Sequence, residues 1–332
     1  MIGARPSQEN VRGWLFITLR WLTGLLILAV LFHFLPMSQL LESIRRVRAT
    51  RFIAILLGYL LVHVAGIMKW RMVVNAAGAK LDFATCAQCY TGGLFATLFL
   101  PSIIGGDIVR LAVGLRRSPN PAAVLAGNVA DRFLDVAAQA VLVVLGLLLL
   151  PGSLPADLGT RARRGLLFLG VVVLLLAVAG VLLHRPMLAG RSIRFRRRLA
   201  RLRHSLRRVS RRPHILLLGW GLGTGMQFMF LFLTALLAIS CGLFLPLRVW
   251  FFGWPLAKLA AVLPLTQGGI GVREAALVAL LSPFGAAPHL VLASGIVWEG
   301  VVIVGGLIAG LAALVLSRRK VEPVSEKPWQ ST

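Results

Sequence analysis

Acid is what this chain has least of: eleven Asp and Glu stand against 36 Lys and Arg, a formal net charge of +25 over 332 residues. Cysteine is nearly as sparse. Cys86 and Cys89 form a C-x-x-C inside an apolar run with no second pair, and Cys241 stands far away, so small buried residues are expected there rather than a metal or redox site. The six histidines show no H-E-x-x-H spacing, and neither a G-x-S-x-G nor a Walker phosphate loop occurs. These gaps remove the usual supports for hydrolase, metalloenzyme and ATPase chemistry, and no cofactor is expected. Long polar stretches are missing too: the longest, His184 to His214, is too short to fold as a catalytic domain.

What fills the chain is hydrocarbon. It is 58% hydrophobic with a mean hydropathy of +0.85, and the apolar residues come in blocks long enough to cross a bilayer. The fold class is therefore an all-α polytopic membrane protein. Eight principal segments stand out, about 14–35, 50–69, 82–100, 119–150, 165–183, 214–243, 248–263 and 288–316. They make residues 14–316 one transmembrane domain between a short tail, 1–13, and a second tail, 317–332. The first segment lacks a small-residue cleavage pattern and reads as a retained helix rather than a signal peptide. In this setting the positive charge speaks for topology and anionic lipid rather than for nucleic acid.

The basic loop 184–213 belongs on the cytoplasmic side by its arginines. Its Arg194, Arg197, Arg201, Arg208 and Arg212, with Phe195, Leu199, Leu202, Leu206 and Val209 between them, suit a basic helix on an anionic leaflet; a purely topogenic loop is the alternative. Eight simple crossings then put both termini outside, in conflict with Arg5, Arg12, Arg318, Arg319 and Lys320. One crossing is miscounted on this reading.

Two breaks in the apolar runs share a frame. "PSIIGGDIVR", Pro101 to Arg110, and "PLTQGGIGVR", Pro264 to Arg273, each read Pro, three residues, Gly-Gly, three residues, Arg. A proline ends or kinks a helix, paired glycines allow tight turns or close helix contact, and arginine presents a planar fork suited to phosphate. Val272 to Leu281 is too short to span and reads as a re-entrant helix. The motifs lie half a chain apart, as an internal repeat requires. Four crossings between them on this count make the copies parallel; an odd number would make them inverted, and the orientation stays open.

Charges also sit inside the apolar segments: Asp131, Arg132 and Asp135 in segment 4, Lys258 in segment 7 and Glu299 in segment 8. Each costs roughly 2.5–3.5 kcal/mol at mid-bilayer, so such groups face a water path or each other. Asp131 and Asp135 share a helix face, pair poorly with Arg132, and are within reach of Lys258 or Arg273 if the segments pack together. Structural ion pairs and a translocation path are both open readings.

"GGDIVR" at Gly105 to Arg110, "DRFLD" at Asp131 to Asp135 and "LPLTQGGIGVREAAL" at Leu263 to Leu277 resemble signatures of the lysylphosphatidylglycerol synthase transmembrane region, or flippase-like domain, family. The resemblance covers roughly residues 15–316 and implies a lipid-moving protein of the bacterial cytoplasmic (inner) membrane. Only "SRRKVEPVSEKPWQST" follows Leu316, so lysyltransferase activity is not expected. The expected cargo is an anionic or aminoacylated phospholipid headgroup, or a polyprenyl-phosphate-linked one. On this reading Gly105, Gly106, Gly268 and Gly269 shape the path, Arg110 and Arg273 hold phosphate, and Asp107 and Glu274 orient them or take a cationic headgroup. Asp131, Arg132, Asp135, Lys258 and Glu299 line the way, and helix N-termini after the glycines add anion affinity. The alternative is a non-transporting membrane partner of a lipid- or glycan-modifying enzyme, docked through the basic loop.

Overall fold

The computed structural model describes residues 37–100, 104–150, 193–261, 266 and 271–318. Segments 14–35 and 165–183, and Gly268 and Gly269, lie outside the described residues. Ten helices occur among them: α1 (Met37–Arg45), α2 (Ala49–Ala76), α3 (Phe83–Ala96), α4 (Ile104–Arg117), α5 (Pro121–Leu149), α6 (Ile193–Ser210), α7 (Pro213–Ser240), α8 (Leu247–Ala260), α9 (Val272–Leu281) and α10 (Pro288–Arg318). At 1.5 Å per residue, α2, α5, α7 and α10 are each roughly 40–46 Å long, more than a bilayer core. By length and composition α2, α7 and α10 qualify as membrane spans. Helix α5 is as long but carries Asp131, Arg132 and Asp135.

Close contacts fix how these helices run. Arg51 of α2 donates to the Ser240 hydroxyl at the end of α7 (3.3 Å). A Cβ on Gly58 would stand 2.9 Å from Leu233, one on Gly66 2.9 Å from Met226, and one on Gly219 3.3 Å from Val73. As the numbers climb along α2 they fall along α7, so the two are antiparallel along their whole length. Helix α5 is antiparallel to α2 as well: Trp70 Nε1 donates to Asn128 Oδ1 (3.0 Å), while Lys69 meets Asp131 and Asp135 further along.

Helices α3 and α4 are too short to cross, each roughly 21 Å. Their open end is tied to the C-terminal end of α2, where the Asn75 amide donates to Leu81 O and accepts from Leu81 N, both at 2.8 Å, and Ser118 Oγ donates to Ala79 O (2.7 Å). Helices α8 and α9 form the second hairpin. It starts from the opposite end, where α7 finishes beside Arg51, and returns there through a 3-10 turn (Ser282–Phe284). The segments 82–100 and 248–263 thus turn back within the bundle instead of crossing it, and 272–281 is the returning arm of the second hairpin.

The order long helix, hairpin, long helix occurs twice, as α2 to α5 and as α7 to α10. Packing follows the duplication. The first hairpin arm of each unit lies on the last helix of the other: α3 against α10, where Leu98 meets Gly306, and α8 against α5, where a Cβ on Gly146 would stand 2.6 Å from Phe252 N. Because α2 and α7 are antiparallel, the repeat is inverted. The count of four crossings, which gives parallel copies, is corrected: it took the α8 arm, which lies between the two motifs, for a span.

Helix α6 caps the end of the bundle where α2 finishes. Leu202, Leu206 and Val209 pack on Val73, Val74, Ala123 and Val124, and Ser205 is buried. Leu202, Leu206 and Val209 of the expected apolar stripe are therefore spent on the bundle. Arg201, Arg207 and Arg208 point outward with Arg71, Lys80, Arg116 and Arg117 nearby, making this end strongly basic.

Candidate functional site

The first motif lies at the head of α4, and its glycines are helical. A Cβ on Gly106 would come within 2.6 Å of the Gly93 carbonyl oxygen, so what Gly106 provides is close approach of α4 to α3. That approach carries Asp107 and Arg110 to α5 and α2, where a six-membered ionic group forms. Lys69 Nζ lies 2.8 Å from Asp131 and 2.5 Å from Asp135; Arg110 lies 3.0 Å from Asp107 and 3.7 Å from Asp131. Arg132 reaches Asp131 and Asp135 at 3.1 Å each and Asp107 at 3.4 Å. Three cations meet three carboxylates, and the group is balanced. The Arg110 guanidinium also lies over the Tyr90 ring, 4.6 Å from its centroid.

Two expectations change here. Asp131 and Asp135 are partnered by Arg132, despite its adjacency in sequence, and by Lys69. Lys258 and Arg273 are not within ion-pair distance of them. Lys69 itself was not among the expected site residues: it stands at the end of apolar segment 50–69, whereas α2 continues to Ala76 and makes it an interior residue.

The second motif builds a smaller group. Glu274 Oε2 accepts from Gly271 N–H at the start of α9 (2.7 Å), while its Oε1 accepts from Arg273. Arg273 also reaches Glu299 Oε2 of α10 at 2.9 Å. One guanidinium thus serves two carboxylates. One donor of the α9 N-terminus, the Gly271 N–H, is thus taken by the chain's own Glu274. In both units an Arg from the returning hairpin arm meets an acid on the following long helix, Asp131 in one and Glu299 in the other.

Between the α3 tip (Thr97 to Phe99) and the end of α8 lies a cavity of about 410 Å³. Its inner end carries His63, Lys258, Arg273 and Glu299, and its walls are Tyr59, Phe230, Trp254 and Trp298. The rings hold one another edge to face: Tyr59 and His63 are 4.4 Å apart, Trp254 and Trp298 5.6 Å. Lys258 donates to Gln227 Oε1 (2.7 Å) and lies over Phe230. The outer end is different. There Leu98 and Phe99 from the α3 tip face Ile303 and Leu307 of α10, and Phe99, Ile303 and Leu307 are 56%, 42% and 48% exposed on the outside of the bundle.

The balanced group is linked to the cavity through His63, whose Nδ1 is 3.3 Å from the hydroxyl of Tyr90, the ring under Arg110. Helix α7 adds a second link. Gly223 faces Asp135 and Lys69, and Gln227, one turn on, holds Lys258. Of the expected residues, then, Lys258, Arg273 and Glu299 line the cavity with Glu274 behind them, while Asp107, Arg110, Asp131, Arg132 and Asp135 form the separate balanced group. The aromatic walls went unread because aromatic residues in apolar helices carry no sequence signal of their own.

This is the architecture of an integral membrane protein whose polar groups are gathered inside a helical bundle. A family model described as the lysylphosphatidylglycerol synthase TM region matches residues 17–310, and the chain belongs to that family. Among curated proteins none matches it.

Proposed function

We propose that this protein moves a phospholipid or polyprenyl-phosphate headgroup between leaflets of the bacterial cytoplasmic membrane, with no catalytic step of its own. The observation that carries this reading is the two-ended cavity: charged and aromatic inside the bundle, open on its lipid-facing side between Phe99, Ile303 and Leu307. An amphiphile fits such a space with its headgroup inward and its tails left in the bilayer. The inverted repeat supplies a means of exchange, because two hairpins from opposite faces can open the same midplane site in turn.

Sidedness follows from charge. The basic α6 end is cytoplasmic by the positive-inside rule. With the hairpins removed from the count and 14–35 and 165–183 taken as crossings, both termini fall on that same basic side, and the conflict over Arg5, Arg12 and Arg318 disappears. The partner-protein reading draws on the exposed arginines of α6 and is separated from transport by experiment.

The test is leaflet exchange of labelled phosphatidylglycerol, its lysyl derivative and a polyprenyl phosphate in liposomes holding the purified protein. Ile303→Trp narrows the mouth from a lipid-facing position where bulk is tolerated. Exchange of one of the three lipids, reduced about tenfold or more in that variant, is the expected result. Folded protein that moves none of them and copurifies with a stoichiometric lipid- or glycan-modifying enzyme rules for the partner reading.

A further inference from the structure

Lys258 differs from every other cation around the described site. Lys69, Arg110, Arg132 and Arg273 each meet at least one carboxylate within 4 Å. The Lys258 ammonium has the Gln227 carbonyl and the face of Phe230, and no carboxylate at that distance. The groups that face it from the surrounding helices are Tyr59, His63 and Lys69 of α2, Arg132 and Asp135 of α5, Arg273 of α9 and Glu299 of α10. Asp135 is held by Lys69 and Arg132, and Glu299 by Arg273.

A second unmet donor shares its helix face. Trp254 is one turn before Lys258 on α8, is 3% exposed, lines the same cavity, and its indole N–H has no partner. An indole N–H is a donor only, so what completes this face is an acceptor. Ammonium and indole together fit an anionic oxygen acid. The Arg273 guanidinium is already taken up by Glu274 and Glu299, which leaves the Lys258 end as the place where an anion settles.

An ammonium inside a membrane without a counter-charge has two ways to avoid its solvation cost: it binds an anion, or it gives up its proton. Lysine has both, whereas arginine keeps its charge in any site. We propose that Lys258 and Trp254 form the headgroup-phosphate site of this cavity, and that Lys258 takes up its proton together with the phosphate, so that one proton travels with each anionic headgroup. No bond is made or broken beyond that N–H. The cavity then carries no added net charge when it is loaded, which keeps the cost of passing the bundle's low-dielectric interior small. The inference rests on the transport reading for its role in movement, but the site itself is tested without transport.

The probe is dihexanoyl phosphatidylglycerol, a phosphodiester that stays ionised at alkaline pH, added to the detergent-solubilised full chain in weakly buffered solution at about pH 9. The wild type is expected to take up about one proton per bound lipid. Lys258→Arg is expected to bind without uptake, Lys258→Met to lose most of the binding, and Trp254→Phe to bind several-fold more weakly with uptake per bound lipid unchanged. In liposomes an imposed pH gradient drives lipid accumulation by the wild type and leaves Lys258→Arg indifferent. Binding without proton uptake in the wild type, equal uptake by Lys258→Arg, or no binding at all overturns the proposal. Uptake and binding as described, with no exchange of any lipid, leaves the site standing and sinks the transport reading instead.

Discussion

Lys69 shows what a single residue does in this bundle. Its ammonium sits between Asp131 and Asp135, 2.8 and 2.5 Å from their carboxylates, and both Lys69 and Asp131 are almost wholly buried. Lys69→Met leaves two carboxylates facing each other beside only Arg110 and Arg132. Breaking a buried pair in this one-sided way costs about 3–5 kcal/mol. Thermal unfolding in micelles is expected to show a large drop in Tm, and Lys69→Met with Asp135→Asn to recover part of it. A double variant no better than the single one contradicts the pairing. Gly106 gives a steric counterpart: Gly106→Ala pushes a methyl onto the Gly93 carbonyl and costs about 1–3 kcal/mol by overpacking. Gly221→Ala, which meets nothing within 4 Å inside α7, leaves Tm unchanged or raises it.

At the scale of elements, the long helices were legible because a spanning helix needs about 20 apolar residues and the sequence supplies them in blocks. The hairpins were only half legible. Val272 to Leu281 is short enough to betray itself as re-entrant, but 82–100 has the length of a span, and only the contact of Gly93 with Gly106 shows that the chain has turned back. Charge partners were hidden for a related reason. Lys69 and Asp135 are 66 positions apart, and no periodicity within either helix points to the other. The hairpins make a directional prediction. The native cysteines are buried, so engineered thiols report cleanly. Arg117→Cys, at the open end of α3 and α4, and Ser282→Cys, at the open end of α8 and α9, are expected to react with an impermeant maleimide from opposite faces of membrane vesicles. Labelling of both from one face contradicts the inverted arrangement.

For the whole molecule, the inverted repeat and its asymmetric contents belong together. One unit keeps its charges in a balanced, tightly paired group; the other opens an aromatic cavity with a lone ammonium. On the proposed exchange reading the two units trade places, and each first hairpin arm must part from the long helix it packs on. Both arms are packed here: α8 on α5, and α3 on α10, where a Cβ on Gly310 would stand 2.5 Å from Phe95. The α3 contact is the one beside the mouth. A Cβ on Gly92 of α3 would stand 3.9 Å from the Cβ of Ala313 on α10, the Cβ–Cβ separation of a disulfide. A Gly92→Cys and Ala313→Cys pair in a cysteine-free background is therefore expected to crosslink under oxidation and to stop lipid exchange, while dihexanoyl phosphatidylglycerol still binds and still brings its proton. Reduction restores exchange. If the crosslinked protein exchanges lipid at the reduced rate, the site is served from a fixed groove and the two hairpins do not alternate.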